Sequence, residues 1–187
     1  DYKGLFGYII GGSIKNLNVK GNVSGKSYVG GICGYVKGAN GDNYSAITNC
    51  TFNGNVTAAT SYAGGMTGYN GNYTTIDTCR VAGAITASAS YAGGITGTSV
   101  GTSSYRNAVT SCTNAAKVSV NTSYAGGIVG ENTYSNVQYC NNGGDVSGSS
   151  YLTGGITGHN KSSATVVYCV STSYVNNGGA IVGYNEA

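Results

Sequence analysis

Apolar residues recur along this chain with two superimposed periods. Within short stretches the period is two. Cys50, Phe52, Gly54 and Val56 fall on one side, while Thr51, Asn53 and Asn55 fall on the other. That alternation predicts a strand with one buried face. It returns at Cys79, Val81, Gly83 and Ile85. Helical periodicity is absent. The longer period is set by the motif SYAGGITG at 90–97, which recurs as SYVGGICG (27–34), SYAGGMTG (61–68), SYAGGIVG (123–130) and SYLTGGITG (150–158). A looser copy, SYVNNGGAIVG, covers 173–183, and a worn one, KGLFGY, covers 3–8.

The closing glycines of these copies are Gly7, Gly34, Gly68, Gly97, Gly130, Gly158 and Gly183. Insertions near 36–44 and 98–108 aside, they lie close to 28 residues apart. A unit of that size, built from short strands with Gly corners, predicts an all-β fold: a parallel β-helix or β-solenoid of about six to seven rungs. The crossover rule for parallel strands favours a right-handed coil. A single repeat domain over 1–187 is expected. Equivalent residues should stack about 4.8 Å apart. Cys50, Cys79, Cys112, Cys140 and Cys169 then form one inward column, with Leu17 at its head. Val23, Val56, Ile85, Val118 and Val146 form a second. Ile32, Met66, Ile95, Ile128, Ile156 and Ile181 form a third, opened by Leu5.

Composition sharpens this picture. The chain has 33 Gly, 17 Tyr, no Pro and no Trp, and 8% charged residues. Gly, Ser and Asn at this level can signal disorder, but abundant Val, Ile, Thr and Tyr are strand residues. The formal charge of +3 is weak. Lys3, Lys15, Lys20, Lys26 and Lys37 cluster in the first fifth, either guarding a strand edge or making a basic patch. The first reading is favoured, and no nucleic-acid partner is expected. No apolar run reaches the about 20 residues of a membrane span, so no membrane insertion is expected, and no signal peptide is visible. With Asp1 first and the repeat already under way, a processed or excised chain is expected.

GGIxGYN alternating with I-x-x-C strands resembles the GLUG-type repeats of bacterial surface proteins. Those repeats occur in adhesins and in stalks of large secreted proteases that cleave immunoglobulin. The resemblance covers essentially the whole chain. It implies a β-solenoid stalk at the cell surface or outside the cell, and no particular activity. The protease zinc motif H-E-x-x-H is missing, since the chain has one His.

Six Cys in a secreted chain suggest disulfides. Five of them share one column, which suits a buried reduced ladder, while vertical bridges stay open because Cα atoms 4.4 Å apart can be bridged. Cys33 stands alone in a column of Thr67, Thr96, Val129, Thr157 and Val182 and reads as a free surface thiol. A linear column offers no tetrahedral zinc site, and no metal or other cofactor is expected.

The candidate binding ladder is Tyr28, Tyr62, Tyr91, Tyr124, Tyr151 and Tyr174. Either these rings seal a corner beside Gly-Gly, or they stack on host or matrix glycans or on a protein. Asn70, Asn132, Asn160 and Asn185 read as an amide ladder or turn caps. The hydroxyl column Ser24, Thr57, Thr86, Ser119 and Ser147 raises ice binding as a lower alternative. Asn43, Asn55 and Asn121 are candidate N-glycosylation sites. Catalysis is not expected: Asp77, Glu131 and Asp145 occupy different columns, and paired carboxylates are what glycoside chemistry needs. His159 aligns with Tyr69, Thr98 and Glu131 and reads as a solvated variant. The chain is therefore expected to be non-enzymatic: an extracellular stalk, adhesin or filament subunit that associates end to end or joins flanking domains. The alternative is a glycan-binding module.

Overall fold

The computed structural model describes residues 1–186 and is a parallel β-solenoid. Four sheets run along its length, with six, seven, six and ten strands. Each coil visits them in the same order. The coil from Tyr62 shows the pattern: Tyr62–Gly64, Thr67–Asn70, Thr74–Asp77 and Arg80–Ala87 lie in the first to fourth sheets. The next coil begins directly beside it at Tyr91–Gly93. Every named pairing between coils is parallel and in register. Cys33 sits beside Thr67, Thr67 beside Thr96, Thr96 beside Val129, and Val129 beside Thr157. Steps of 29, 33 and 28 residues separate equivalent positions, as expected from the spacing of the glycines.

The SYAGGITG unit folds as a tight arch between the first and second sheets. Its first Gly faces backbone. A Cβ on Gly64 would lie 2.0 Å from the Thr67 carbonyl and 2.7 Å from the Thr96 Cα. The second Gly faces the fourth sheet across a thin core: a Cβ on Gly31 would meet the Phe52 ring at 2.5 Å, and one on Gly65 would meet Val81 at 2.4 Å. The glycines are therefore required by close approach, and a side chain there would force the arch open.

The corner between the third and fourth sheets is made differently. One residue per coil takes a left-handed conformation: Asn16, Asn49, Thr78, Ser111, Tyr139 and Tyr168, with φ between 51° and 58°. This kink turns the chain so that the next residue, Leu17 or a cysteine, points inward. Asn tolerates the conformation; for Thr, Ser and Tyr it carries strain.

The core holds the predicted columns. Val56, Ile85, Val118 and Val146 on the fourth sheet and Ile32, Met66, Ile95, Ile128 and Ile156 in the arch are fully buried, and Ile47, Ile76, Val109 and Val137 add a further buried column on the third sheet. Leu5 and Ile181, in the outermost coils, are exposed. In the fourth sheet the strands Thr51–Ala58 and Arg80–Ala87 are continuous, but later coils break into Thr113–Asn114 with Lys117–Val120, and Asn141–Asn142 with Val146–Ser147. The cause is a change from Phe52 and Val81 to Asn114 and Asn142. Asn114 accepts from the Ala116 N–H at 3.0 Å and donates to its carbonyl at 2.9 Å. Asn142 brackets Gly144 in the same way, so each amide holds a bend that interrupts the strand.

Both insertions emerge at the corner between the second and third sheets. They occupy 38–44 and 101–106, narrower than expected because Val36, Lys37 and Thr98–Val100 remain in strands.

Candidate functional site

The outward side of the arch carries two columns of rings. The first-sheet column runs Tyr2, Tyr28, Tyr62, Tyr91 and Tyr124. From Tyr28 onward the centroids are 4.8, 4.8 and 4.9 Å apart, and neighbouring planes agree within 11°. The second-sheet column begins Tyr8, Tyr35, Tyr69, with centroids 4.8 and 4.7 Å apart. Between the columns the rings meet edge to face, as in Tyr62 with Tyr69 at 5.5 Å and 81°. Parallel stacking within a column and T-shaped contact across columns suit the ring quadrupole. The inner rings therefore lay their faces against each other. Burial raises the phenols of Tyr35, Tyr62 and Tyr69, the last to about 12, with neighbouring phenols adding to the effect.

Two expected members stand outside this column. Thr153 pairs with Ala125, which leaves Leu152, not Tyr151, level with Tyr124. The extra residue in SYLTGGITG pushes Tyr151 out to 66% exposure. Tyr174 immediately precedes the fourth-sheet strand Val175–Asn176; its N–H donates to Asp145 Oδ1 at 3.1 Å and its carbonyl accepts from the Val146 N–H. The two Asn inserted before Gly178 separate it from the arch. Tyr2, which the repeat alignment left out, heads the column instead.

The second column changes chemistry halfway. After Tyr69 it continues Thr98, Glu131, His159 and Tyr184. His159 is not solvated: it is 7% exposed and stacks under Tyr124 at 5.3 Å and 11°. Its Nδ1 lies 3.6 Å from Glu131 Oε2 and its Nε2 lies 3.2 Å from Glu186 Oε2. Lys161 Nζ lies 3.2 Å from Glu131. Burial raises the Tyr91 phenol and the Glu131 carboxylate adds to it. The charges thus sit where the aromatic column is interrupted, and they close on one another. The signal in the sequence was the GHN at 158–160 standing where GYN stands in other coils.

An open groove lies elsewhere, over the last coils. It has a volume of about 490 Å³ and is lined by Val120, Asn121, Ser147, Gly148, Ser149, Asn176 and Asn177. None of these side chains is acidic or basic, so the groove and the Glu131–His159 cluster do not combine into acid–base machinery. Among the described residues no group of three or more His, Cys, Asp or Glu converges to hold a metal ion. No helix is long and apolar enough to cross a membrane.

The remaining candidates are placed as follows. Cys50, Cys79, Cys112, Cys140 and Cys169 occupy one register position in successive coils, and all six cysteines are free. Cys33 is a correction: it is fully buried inside the arch, its thiol is pushed up to about 12 by burial, and it donates to the Tyr35 carbonyl at 3.1 Å. Asn132, Asn160 and Asn185 form an amide ladder with bonds of 2.8 and 2.7 Å, while Asn70 donates to Ser99. Asn43, Asn55 and Asn121 are exposed. The hydroxyl column Ser24, Thr57, Thr86, Ser119 and Ser147 is in register. Sequence reasoning missed Tyr44, Tyr73 and Tyr105, which the corner loops pack together at 5.9 and 4.8 Å, and the stacked exposed pair Tyr139 and Tyr168 at 5.2 Å.

No family model matches the chain, and no curated protein matches it. Among solved structures it is similar to a candidate immunoglobulin A1 protease from Bacteroides ovatus, with 22% identity and a TM-score of 0.59. The match covers 90% of this chain and 49% of that one, so this chain spans about half the length of that protein. At this identity the likeness establishes the fold alone.

Proposed function

We propose that the chain is a non-enzymatic extracellular spacer, a stalk or adhesin segment that sets a distance between what lies at its two ends. The observation that carries this reading is the uniform direction of its hydrogen bonds. All four sheets are ladders of parallel strands stacked along one axis, coil on coil. Such a rod lengthens by about 4.8 Å per coil and transmits load through backbone ladders. The GLUG-type motif, and the likeness to half of a longer protein named for immunoglobulin cleavage, support a stalk in a surface or secreted protein. Its natural contacts are further coils, from a second copy or from a longer chain, laid on the apolar columns that end at Leu5 and Ile181.

Glycan binding is the less supported reading. Tyr91 has Tyr62 on one face and Tyr124 on the other, so no ring face is free for a sugar there. A shortened variant tests the spacer directly. Removing residues 62–90 joins Ser61 to Tyr91 and deletes one coil in register. The expected product keeps its β spectrum, is shorter by one coil spacing in small-angle scattering, and like the parent shows no saturable signal on a glycan array. Saturable binding of one glycan, abolished by Tyr91→Ala with Tyr124→Ala, would overturn the spacer reading.

A further inference from the structure

The solenoid encloses a line of sulfur. Cys50, Cys79, Cys112 and Cys140 are at most 2% exposed, and Cys169 is partly buried. Each Sγ donates to the carbonyl two residues before it, at 3.1 to 3.3 Å. Each also lies 3.5 to 3.9 Å from a carbonyl one coil away. Because all five share this geometry, the sulfurs repeat with the coil. Each thiol hydrogen is thus taken by a carbonyl, and the sulfurs stand one above another, unbridged.

Successive sulfurs are thus offset by about 4.8 Å, the strand repeat. A thiolate–metal bond is about 2.3 Å, so two laid end to end span about 4.6 Å. The gap between adjacent coils therefore fits one ion held in a straight line by two sulfurs. Among the described residues no third His, Cys, Asp or Glu converges on an adjacent pair, so the pair suits two-coordinate ions, and thiolate selects soft ones. We propose that the cysteine column is a binding site for soft two-coordinate cations, the class of Cu⁺, Ag⁺ and Hg²⁺, each held between the sulfurs of adjacent coils.

Charge balance fits the dry interior, where net charge is costly. When Hg²⁺ enters a pair, two S–H bonds break, two Hg–S bonds form and two protons leave. The complex is neutral and no electron is transferred. A monovalent ion releases one proton and takes the second sulfur as a thiol.

The test uses adjacency. In a Cys33→Thr background, which removes the sixth thiol, the protein is refolded from denaturant with Hg²⁺ alone, so access to the interior is not limiting. Excess monothiol then strips ions held by a single sulfur, and native mass spectrometry counts the rest. Each thiolate serves one Hg²⁺, so only separate adjacent pairs count. Two ions are expected in this background. Two are again expected with Cys112→Ala, which leaves Cys50 with Cys79 and Cys140 with Cys169. One is expected with Cys79→Ala and one with Cys140→Ala. Far-UV circular dichroism verifies the fold of each. Equal ion counts in the three Ala variants, or loss of the β spectrum on refolding with Hg²⁺, would overturn the proposal.

Discussion

Gly64→Ala puts the arch to a quantitative test. The added methyl would lie 2.0 Å from the Thr67 carbonyl, 2.7 Å from the Thr96 Cα and 2.8 Å from the Gly97 nitrogen. All three are backbone atoms, in two coils, so no side chain can swing away. Restoring ordinary contact requires the arch or the coil spacing to open by more than 1 Å, an estimate set by normal packing distances. The bonds in the way are Gly65 N–H to Gly94 O, Met66 N–H to Ile95 O and Thr67 N–H to Ile95 O, at 3.1, 2.9 and 3.2 Å. Losing two of these in the buried arch costs about 1–3 kcal/mol each, on the scale of overpacking at its upper end. A destabilisation of about 2–6 kcal/mol follows, which for a chain of this size lowers Tm by roughly 4–24 °C.

Gly143→Ala is the matched control. Its nearest neighbours to a new Cβ are Thr172 Oγ1 at 3.9 Å and the Asn114 carbonyl at 4.0 Å. It should stay within about 0.5 kcal/mol of the parent. Urea denaturation followed by circular dichroism measures the global effect. Because a coiled repeat can open piecewise, hydrogen exchange at Gly65, Met66 and Thr67 measures the local one. A Gly64→Ala protein no less stable than Gly143→Ala, with those three amides still protected, would refute the claim that close approach dictates the glycines.

Thr78→Asn should stabilise the protein by about 1 kcal/mol, because Asn carries less of the about 1–2 kcal/mol left-handed penalty than a β-branched residue. Asn49 already donates to Asn16 Oδ1 at 2.8 Å at this corner, and the new amide extends that pair; an unchanged or lower urea midpoint would count against the strained-corner account. At alkaline pH the Tyr columns should become a liability. Tyr69 titrates near 12 in the fold against about 10 unfolded. A raised folded value favours the neutral phenol, so its contribution is whole below pH 10 and lost as pH climbs toward 12. The urea midpoint should fall across that window while phenolate absorbance lags behind that of the unfolded chain; a flat midpoint would contradict it.

Most of the architecture was legible because the repeat is its own alignment. Once Gly34, Gly68 and Gly97 are set level, Cys79 must stand beside Cys50 and Ile85 beside Val56, with no knowledge of torsion angles. What escaped is where coils depart from the repeat. Tyr151 and Tyr174 carry the right dipeptide, but Thr153 and the Asn pair before Gly178 shift the arch relative to it. Motif matching reads order along the chain, whereas register counts residues to the next hydrogen bond. Cys33 was misplaced for another reason. Standing alone among Thr and Val, it read as a surface thiol, yet that column lies inside the arch, where Cys33, Thr67, Thr96, Val129 and Thr157 are all fully buried. His159 escaped because, although Glu131 stands beside it in its own column, the Tyr124 ring and the Glu186 carboxylate that complete its burial come from outside that column.

The departures also address a problem that near-identical coils create. A slip by one whole coil would restack Ile on Ile and Val on Val with little loss, since apolar contact is undirected. The polar partners would not survive it. Asn107 accepts from the Thr74 N–H and donates to the carbonyls of Asn70 and Gly71. Ser99 joins Asn70 to Ser135, and Asn114 joins Asn142. Each pair differs from the ones beside it, and each is buried, where an unmet donor or acceptor costs about 1–3 kcal/mol. Several such losses exceed a large share of the stability a domain has to give. The apolar columns thus hold coil on coil, while the mismatched amides and hydroxyls fix which coil lies on which.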